Sequence, residues 1–336
     1  MPRLQTPEIV TEGVQQHGAV QAWRRFYSER WEPGRLEVLQ RKHFSTVYRL
    51  NGIERDGATV IAKRCRATTA SVERTIYQDL LPLTGLPSVR CYGVLPEPDG
   101  ELWWLFLEDG EGTAYAPQIP EHRALAGRWL AQTQSALALA EDTSALPSRE
   151  LDHYLHLLHG SRAMVIGHLA DGALSHADAA VLRDLAAHFD GLESRWTAIE
   201  QICGAMPRTL VHDDFVIKNL RVRDTVAGPA LIVFDWEFAG WGVPAVDLAQ
   251  SIDRVASPDL GAYWSSLRPE YAHLDMRDVY AIAVCGNLLR LLDQISWATT
   301  GLEIAPIPQL VKAISKLEVY EPAMLDALRA LQRSWS

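Results

Sequence analysis

The densest group of reactive side chains is Leu210-Val211-His212-Asp213-Asp214-Phe215-Val216-Ile217-Lys218-Asn219-Leu220, a His-x-Asp-x-x-x-x-Asn pattern that follows an apolar strand. Sixteen residues beyond Asn219, a second apolar segment, Ile232-Val233-Phe234, runs into Asp235-Trp236-Glu237. Phosphoryl transfer calls for this set of parts. One carboxylate accepts or orients the proton of an attacking hydroxyl, while a second acid and an amide oxygen hold Mg2+ against a triphosphate. The five-residue gap from Asp214 to Asn219 lets a short loop turn both side chains toward one site. Two strands entering side by side would present Asp235 to the same metal.

The elements needed to position these residues can be read from the patterning. Residues 7–31 predict one or two short helices. Leu36 and Val38, then Val47, Tyr48 and Leu50, suggest extended segments, with a reversal at Glu54–Gly57 on Asp56-Gly57. The β-branched run Thr59–Lys63 predicts a strand ending on the lysine. A helix capped by Thr68 or Ser71 should follow, with Val72, Ile76 and Leu80 along one face. Ser88–Leu95 and Glu101–Leu107 predict two more strands about the turn-rich Pro96–Gly100. From Glu108–Gly112 the texture turns helical: Ala124–Leu139, Leu151–Leu169 and Ala177–Ile202. Two short β segments, Thr209–Val211 and Ala230–Phe234, interrupt it before helices resume from Pro244, with Val279–Trp297 the most apolar. The expectation is an α+β chain with a β-rich region at 1–110 and a mainly helical region at 111–336.

Taken together, the two motif blocks resemble the aminoglycoside phosphotransferase and choline kinase-like family of small-molecule kinases. Phe234-Asp235-Trp236-Glu237-Phe238-Ala239-Gly240-Trp241-Gly242-Val243-Pro244-Ala245-Val246-Asp247-Leu248-Ala249 matches the family's second block, and the likeness extends over nearly the whole chain. The resemblance implies the two-lobed protein-kinase-like fold. It implies Asp214 as catalytic base, Asn219 and Asp235 as Mg2+ ligands, His212 as support of the loop, and Asp247 as an acceptor of backbone hydrogen bonds from that loop. One departure is Asp213, where the family has glycine. If the backbone there takes a positive φ, Asp is among the few residues that tolerate it. Asp213 is also an alternative base, although the spacing to Asn219 favours Asp214.

By the same resemblance, Lys63 would reach the α/β-phosphates and Glu73 would pair with it. His43–Tyr48 stands where the phosphate-covering loop belongs, without its glycines, so that Ser45 and Thr46 are the candidate donors. The backbone at Glu108 and Gly110 would bond the adenine of ATP, or the guanine of GTP. Lys218 either touches the γ-phosphate or is solvated. The acceptor implied is a hydroxyl of a small molecule: an aminoglycoside or similar natural-product antibiotic first, or choline, a sugar or an amino-alcohol. A protein acceptor is disfavoured, because Pro244 follows Asp235 by nine positions and leaves no room for a long activation loop. A nucleotide-binding pseudokinase is the rival from another class. The presence of Lys63, Glu73, Asp214, Asn219 and Asp235 together speaks against it.

Other signals have plainer explanations. His153, His156 and His159 recur at a spacing of three, with His168 and His176 beyond. A metal-binding helix would use i, i+4 spacing with an acidic partner, so a polar helix face or substrate wall is the better reading. Among the 11 tryptophans, Trp103, Trp104 and Trp129 are candidates for core packing or lobe contacts, and Trp236 and Trp241 for a wall of the acceptor pocket.

Composition sets the outer bounds. The 336 residues are 48% hydrophobic and 22% charged, the balance of a globular chain. Four separated cysteines without a C-x-x-C, and a start without an apolar core, suggest a reducing cytoplasm and no secretory leader. No apolar run is long enough to span a membrane. The net charge of −10 disfavours a nucleic-acid partner. All of it lies beyond residue 110, since residues 1–110 hold 14 basic and 14 acidic side chains, against 18 and 28 in the rest. A cationic acceptor would be drawn to such a surface.

Overall fold

The strands Arg35–Lys42, Ser45–Asn51, Val60–Arg66, Cys91–Pro96 and Leu102–Glu108 form the antiparallel sheet that their apolar positions call for. The computed structural model describes residues 7–27, 33–42, 44–52, 59–138, 140, 143–169, 174–250, 252–267, 271–302 and 307–333. The reversal expected at Glu54–Gly57 lies outside them.

In chain order, β1 (Glu8–Val10) and α1 (Gly18–Phe26) precede β2 (Arg35–Lys42), β3 (Ser45–Asn51) and β4 (Val60–Arg66). Helix α2 (Ala67–Thr75) runs through a wider turn, Ile76–Leu80, into α3 (Leu81–Thr84), and β5 (Cys91–Pro96), β6 (Leu102–Glu108) and β7 (Thr113–Ala114) follow. Then come α4 (Pro120–Leu137), β8 (Ser148–Arg149), α5 (Leu151–Leu169), α6 (His176–Glu193), α7 (Trp196–Cys203) and β9 (Thr209–Val211). The last part holds β10 (Leu220–Thr225), β11 (Gly228–Val233), β12 (Gly240–Gly242), α8 (Leu260–Ser266), α9 (Met276–Thr299) and α10 (Ile307–Arg333).

The chain divides into two compact units, Met1–Ala114 with Asn219–Glu237, and Tyr115–Lys218 with Phe238–Ser336. The first contains a six-stranded sheet in the order β1-β2-β3-β4-β6-β5, with every pairing antiparallel. One face packs Leu36, Val38, Tyr48, Leu50, Val60, Ala62, Trp104 and Phe106 against Val20 and Trp23 of α1. Burial of that amphipathic helix is the driving force that closes the face.

Several local expectations change. Residues 8–10 are a strand on the edge of the sheet, paired with 36–38, where a helix was expected. β4 runs three residues past Lys63, which therefore stands mid-strand. Helix α2 starts directly at Ala67 with no side-chain cap, so Thr68 and Ser71 lie inside it. Its apolar stripe holds: Val72, Ile76 and Leu80 are buried. The expected division at 110/111 is a single cut, whereas the β10–β11 hairpin folds with the first unit. The reason is pairing: β10 runs antiparallel to β7 as well as to β11.

The second unit is mainly helical, with α5, α6, α9 and α10 packed on one another. A small sheet in the order β8-β12-β9 joins it. Two glycines set close approaches. A Cβ on Gly242 would lie 1.9 Å from the Arg149 carbonyl oxygen, and one on Gly286 would lie 1.9 Å from that of Ala245. Gly286 thereby seats α9 against the 3-10 turn Pro244–Leu248, which carries Asp247.

Candidate active site

In the second unit, the segment after β9 is held by its backbone. The N–H groups of His212 and Asp213 donate to Oδ2 and Oδ1 of Asp247 at 2.7 and 3.0 Å. The Asp214 N–H donates to Nδ1 of the buried His212 at 3.3 Å. Asp213 has φ 59°, the left-handed conformation that aspartate is among the few residues to tolerate. Its side chain is buried: Oδ1 accepts from the Tyr154 hydroxyl at 2.9 Å, and Oδ2 meets Nε of Arg149 at 2.7 Å. Both oxygens are thus engaged with α5 and β8.

Asp214 faces a different set of partners. Nη2 of Arg290, on α9, donates to its Oδ1 at 2.6 Å, and Nζ of Lys218 lies 3.2 Å from its Oδ2. Nη1 of the same Arg290 donates to the Asp213 carbonyl at 2.7 Å and to Oδ2 of Asp293 at 3.1 Å. Burial penalises the Asp214 carboxylate, but Arg290, Lys218 and His212 outweigh that and hold its pKa below the ordinary value. Asp213 is pushed the other way, to about 6, because burial exceeds the help of Arg149 and Arg290. The two neighbours differ accordingly: Asp214 keeps its charge, and Asp213 is an internal tether.

In the first unit, Lys63 is buried and bridges three carboxylates. Its Nζ lies 2.6 Å from Glu73 Oε1 on α2, 2.7 Å from Asp235 Oδ1 and 3.2 Å from Glu237 Oε2. Burial disfavours the ammonium, yet Glu73, Asp235 and Glu237 raise its pKa, so Lys63 stays charged. Burial lifts Glu73 to about 7 against the pull of Lys63. Asn219 and Asp235 flank the open end of the β10–β11 hairpin, where Leu220 pairs with Val233 and the Phe234 N–H donates to the Asn219 carbonyl at 3.1 Å. Asp235 has φ 67°.

The remaining candidates divide. Ser45 pairs with Cys65 and so shares the sheet face of Lys63, while Thr46 pairs with Arg64 on the opposite face. The Glu108 N–H donates to the Arg90 carbonyl at 2.8 Å. Gly110 lies against the Phe234 ring, which a Cβ would meet at 3.2 Å. Trp104 and Trp129 are core residues, as expected, but so is Trp236, which cannot line a pocket wall. The histidine run is dispersed: His156 Nδ1 contacts the Asp152 carbonyl at 2.6 Å, and His159 Nε2 contacts Glu193 at 2.8 Å. Burial, with Arg149 nearby, lowers His153 to about 4. Among the described residues no group of three metal-type ligands forms, and no helix is long and apolar enough to cross a membrane.

Arg149, Tyr154, Arg290 and Asp293 were not singled out by the sequence. A signal existed for the last pair: Arg290 interrupts the most apolar helix at a position that periodicity assigns to the core, and an acid follows at i+3. Nothing local marks Arg149 or Tyr154.

A model of the phosphotransferase enzyme family matches residues 40–279. No curated protein matches the sequence significantly. Among solved structures, the GDP and kanamycin complex of APH(2")-IIIa is 14% identical, with TM-score 0.61, covering 90% of this chain and 97% of that one. The ethanolamine kinase of Plasmodium vivax is 13% identical, with TM-score 0.55 and coverage of 91% and 86%. The choline kinase of Cryptosporidium parvum is 11% identical, with TM-score 0.51 and coverage of 87% and 89%. At these identities the likeness is one of fold, the α+β protein-kinase-like fold that the motif blocks implied.

Proposed function

The chain belongs to the phosphotransferase enzyme family, and from that premise we propose that it moves the γ-phosphoryl group of ATP or GTP to a hydroxyl of a small amine-bearing molecule. The observation that carries this reading is the buried Lys63 ammonium shared between Glu73 and Asp235. A lysine is kept charged and immobile there only at the cost of three carboxylates, an arrangement suited to gripping phosphate oxygens.

Asp214 is the base. The acceptor hydroxyl oxygen attacks the γ-phosphorus, the bond to the β–γ bridging oxygen breaks, and the hydroxyl proton passes to the Asp214 carboxylate as the nucleoside diphosphate leaves. Oδ1 is tied to the buried Arg290, whereas Oδ2 meets the more exposed Lys218, a weaker hold, so Oδ2 is the oxygen suited to receive it. Asp213 fits a tethering role better than a catalytic one, since both its oxygens are bound within the protein. Asn219 and Asp235 offer an amide oxygen and a carboxylate, hard donors that suit Mg2+, which takes few protein ligands and completes its shell with phosphate and water. Bound there, Mg2+ would neutralise phosphate charge. The Ser45 hydroxyl, on the face of Lys63, would bond the phosphate chain.

Kanamycin, ethanolamine and choline, the compounds named for the structural neighbours, are all alcohols that carry an amine or ammonium group. The acidic excess beyond residue 110 favours the same chemistry. An aminoglycoside or related natural product is the first choice. The choline and ethanolamine kinase neighbours favour a metabolic amino-alcohol as the second. Consumption of MgATP or MgGTP, measured with a panel of aminoglycosides, choline, ethanolamine and neutral sugars, tests the reading. Hydroxyl-dependent turnover is expected with an amine and should fall roughly 10²- to 10⁴-fold in Asp214→Asn. Turnover with neutral sugars alone would refute the amine, and full activity of Asp214→Asn would refute the base.

A further inference from the structure

Glu237 binds a second lysine besides Lys63. Lys42 Nζ lies 2.6 Å from Glu237 Oε1, while Glu237 Oε2 lies 3.2 Å from Lys63 Nζ, so one carboxylate bridges two ammonium groups. The sheet register explains how they meet. Lys42, the last residue of β2, pairs with Ser45 across the turn of the β2–β3 hairpin, and Ser45 pairs with Cys65. Paired residues share a face and alternate residues return to it, so Lys42, Ser45, Val47 and Lys63 all project from one side. It is the side opposite the α1 core.

The two lysines differ in what they can still do. Lys63 is 4% exposed and held in place among three carboxylates, so it can meet a phosphate only from that fixed position, whereas Lys42 is 39% exposed and sits at the edge of the turn. Glu237 is 10% exposed, but the Lys42 end of the pair reaches solvent, where the ammonium can exchange Glu237 for another anion without being buried or stripped of water. The charge count points the same way. By formal charge, Glu73, Asp235 and Glu237 about Lys63, with Lys42 on Glu237, leave the cluster one negative charge in excess. Without Lys42 the excess would be two, a poor reception for a polyphosphate. An ammonium on a flexible stem beside this cluster makes charge-assisted hydrogen bonds with phosphate oxygens once it leaves its carboxylate.

We propose that Lys42 is a second phosphate-binding cation of the nucleotide site, held by Glu237 until the phosphate chain of a nucleoside triphosphate draws it away. This rests on the phosphotransfer reading and adds to it a residue that no motif marks. The binding energy comes from the β2–β3 hairpin and supplements the buried Lys63.

Titration calorimetry with MgATP and MgGTP on the full chain tests it. Lys42→Gln should weaken binding of the triphosphate about tenfold, Lys42→Arg should restore it to within about threefold, and the nucleotide-free unfolding midpoint should stay unchanged in both. Native affinity in Lys42→Gln overturns the inference and leaves the phosphotransfer reading standing. So does a loss that Lys42→Arg does not restore and that comes with a lowered midpoint, because the pair is then structural. Absence of nucleotide binding by the unaltered protein would sink the phosphotransfer reading itself, and this inference with it.

Discussion

Nη2 of Arg290 donates to Oδ1 of Asp214 at 2.6 Å, and Nη1 of the same guanidinium donates to the Asp213 carbonyl at 2.7 Å. One side chain of α9 thus grips the carboxylate and the backbone of the loop together. The planar fork fixes both distances at once, which a lysine could not do. Asp293, at i+3 on the same helix, steadies the guanidinium from behind at 3.1 Å.

Arg290→Ala should therefore lower kcat while leaving the KM for nucleotide unchanged, because only the proton acceptor loses its orientation. Stripping one partner from a buried ion pair costs roughly 3–5 kcal/mol of stability. Arg290→Lys should recover part of both losses, charge without the fork. Steady-state kinetics and urea unfolding measure the two effects separately. A normal kcat in Arg290→Ala would contradict the positioning role.

Asp213 offers a test of backbone against side chain. At φ 59° a residue with a Cβ is strained by about 1–2 kcal/mol, which glycine escapes. Glycine also abandons Arg149 and Tyr154, whose polar groups are buried. Asp213→Gly should be less stable than the native chain yet keep most of its activity, and Asp213→Ala should be worse by about 1 kcal/mol. Denaturant midpoints decide; equal stability of the two variants would show that the strain is absent.

The pH dependence follows from Asp214. Burial works against its charge, but Arg290, Lys218 and His212 prevail and hold its folded-state pKa below 3.8. A depressed pKa contributes stability that is present above the unfolded value and lost as pH falls through the folded one. Asp214→Asn should thus be less stable than the native chain at about pH 7, with the gap narrowing below about pH 4. Chemical unfolding across that range is the check, and a constant gap would count against it.

Gly286 links helix packing to the same carboxylate. Any Cβ there runs into the Ala245 carbonyl oxygen at 1.9 Å, on the turn that carries Asp247. Gly286→Ala must push α9 outward. Overpacking of this kind costs about 1–3 kcal/mol, and it should also cut kcat because Arg290 moves with the helix. Thermal unfolding and kinetics of the variant would show whether stability and activity fall together.

By itself the sequence determined what depends on near neighbours. The apolar alternation of residues 35–50 and 102–107 set out the sheet, and the His-x-Asp-x-x-x-x-Asn pattern set out the loop, with the backbone at Asp213 left open until the fold gave it φ 59°. Edges were less legible. Three residues at 8–10 are too few for periodicity to tell strand from helix, and they form a strand only because β2 presents an unpaired edge.

Only the tertiary structure decided which charges meet. Arg290 and Asp214 are 76 residues apart, and Lys42 and Glu237 are 195. It also separated Ser45 from Thr46, adjacent residues on opposite faces, and turned Trp236 from a proposed pocket wall into core. The physical reason is one of range. Propensity, φ tolerance and hydrophobic period act over a few residues and are written locally, whereas an ion pair between distant segments exists only after packing has brought two helices or strands into register.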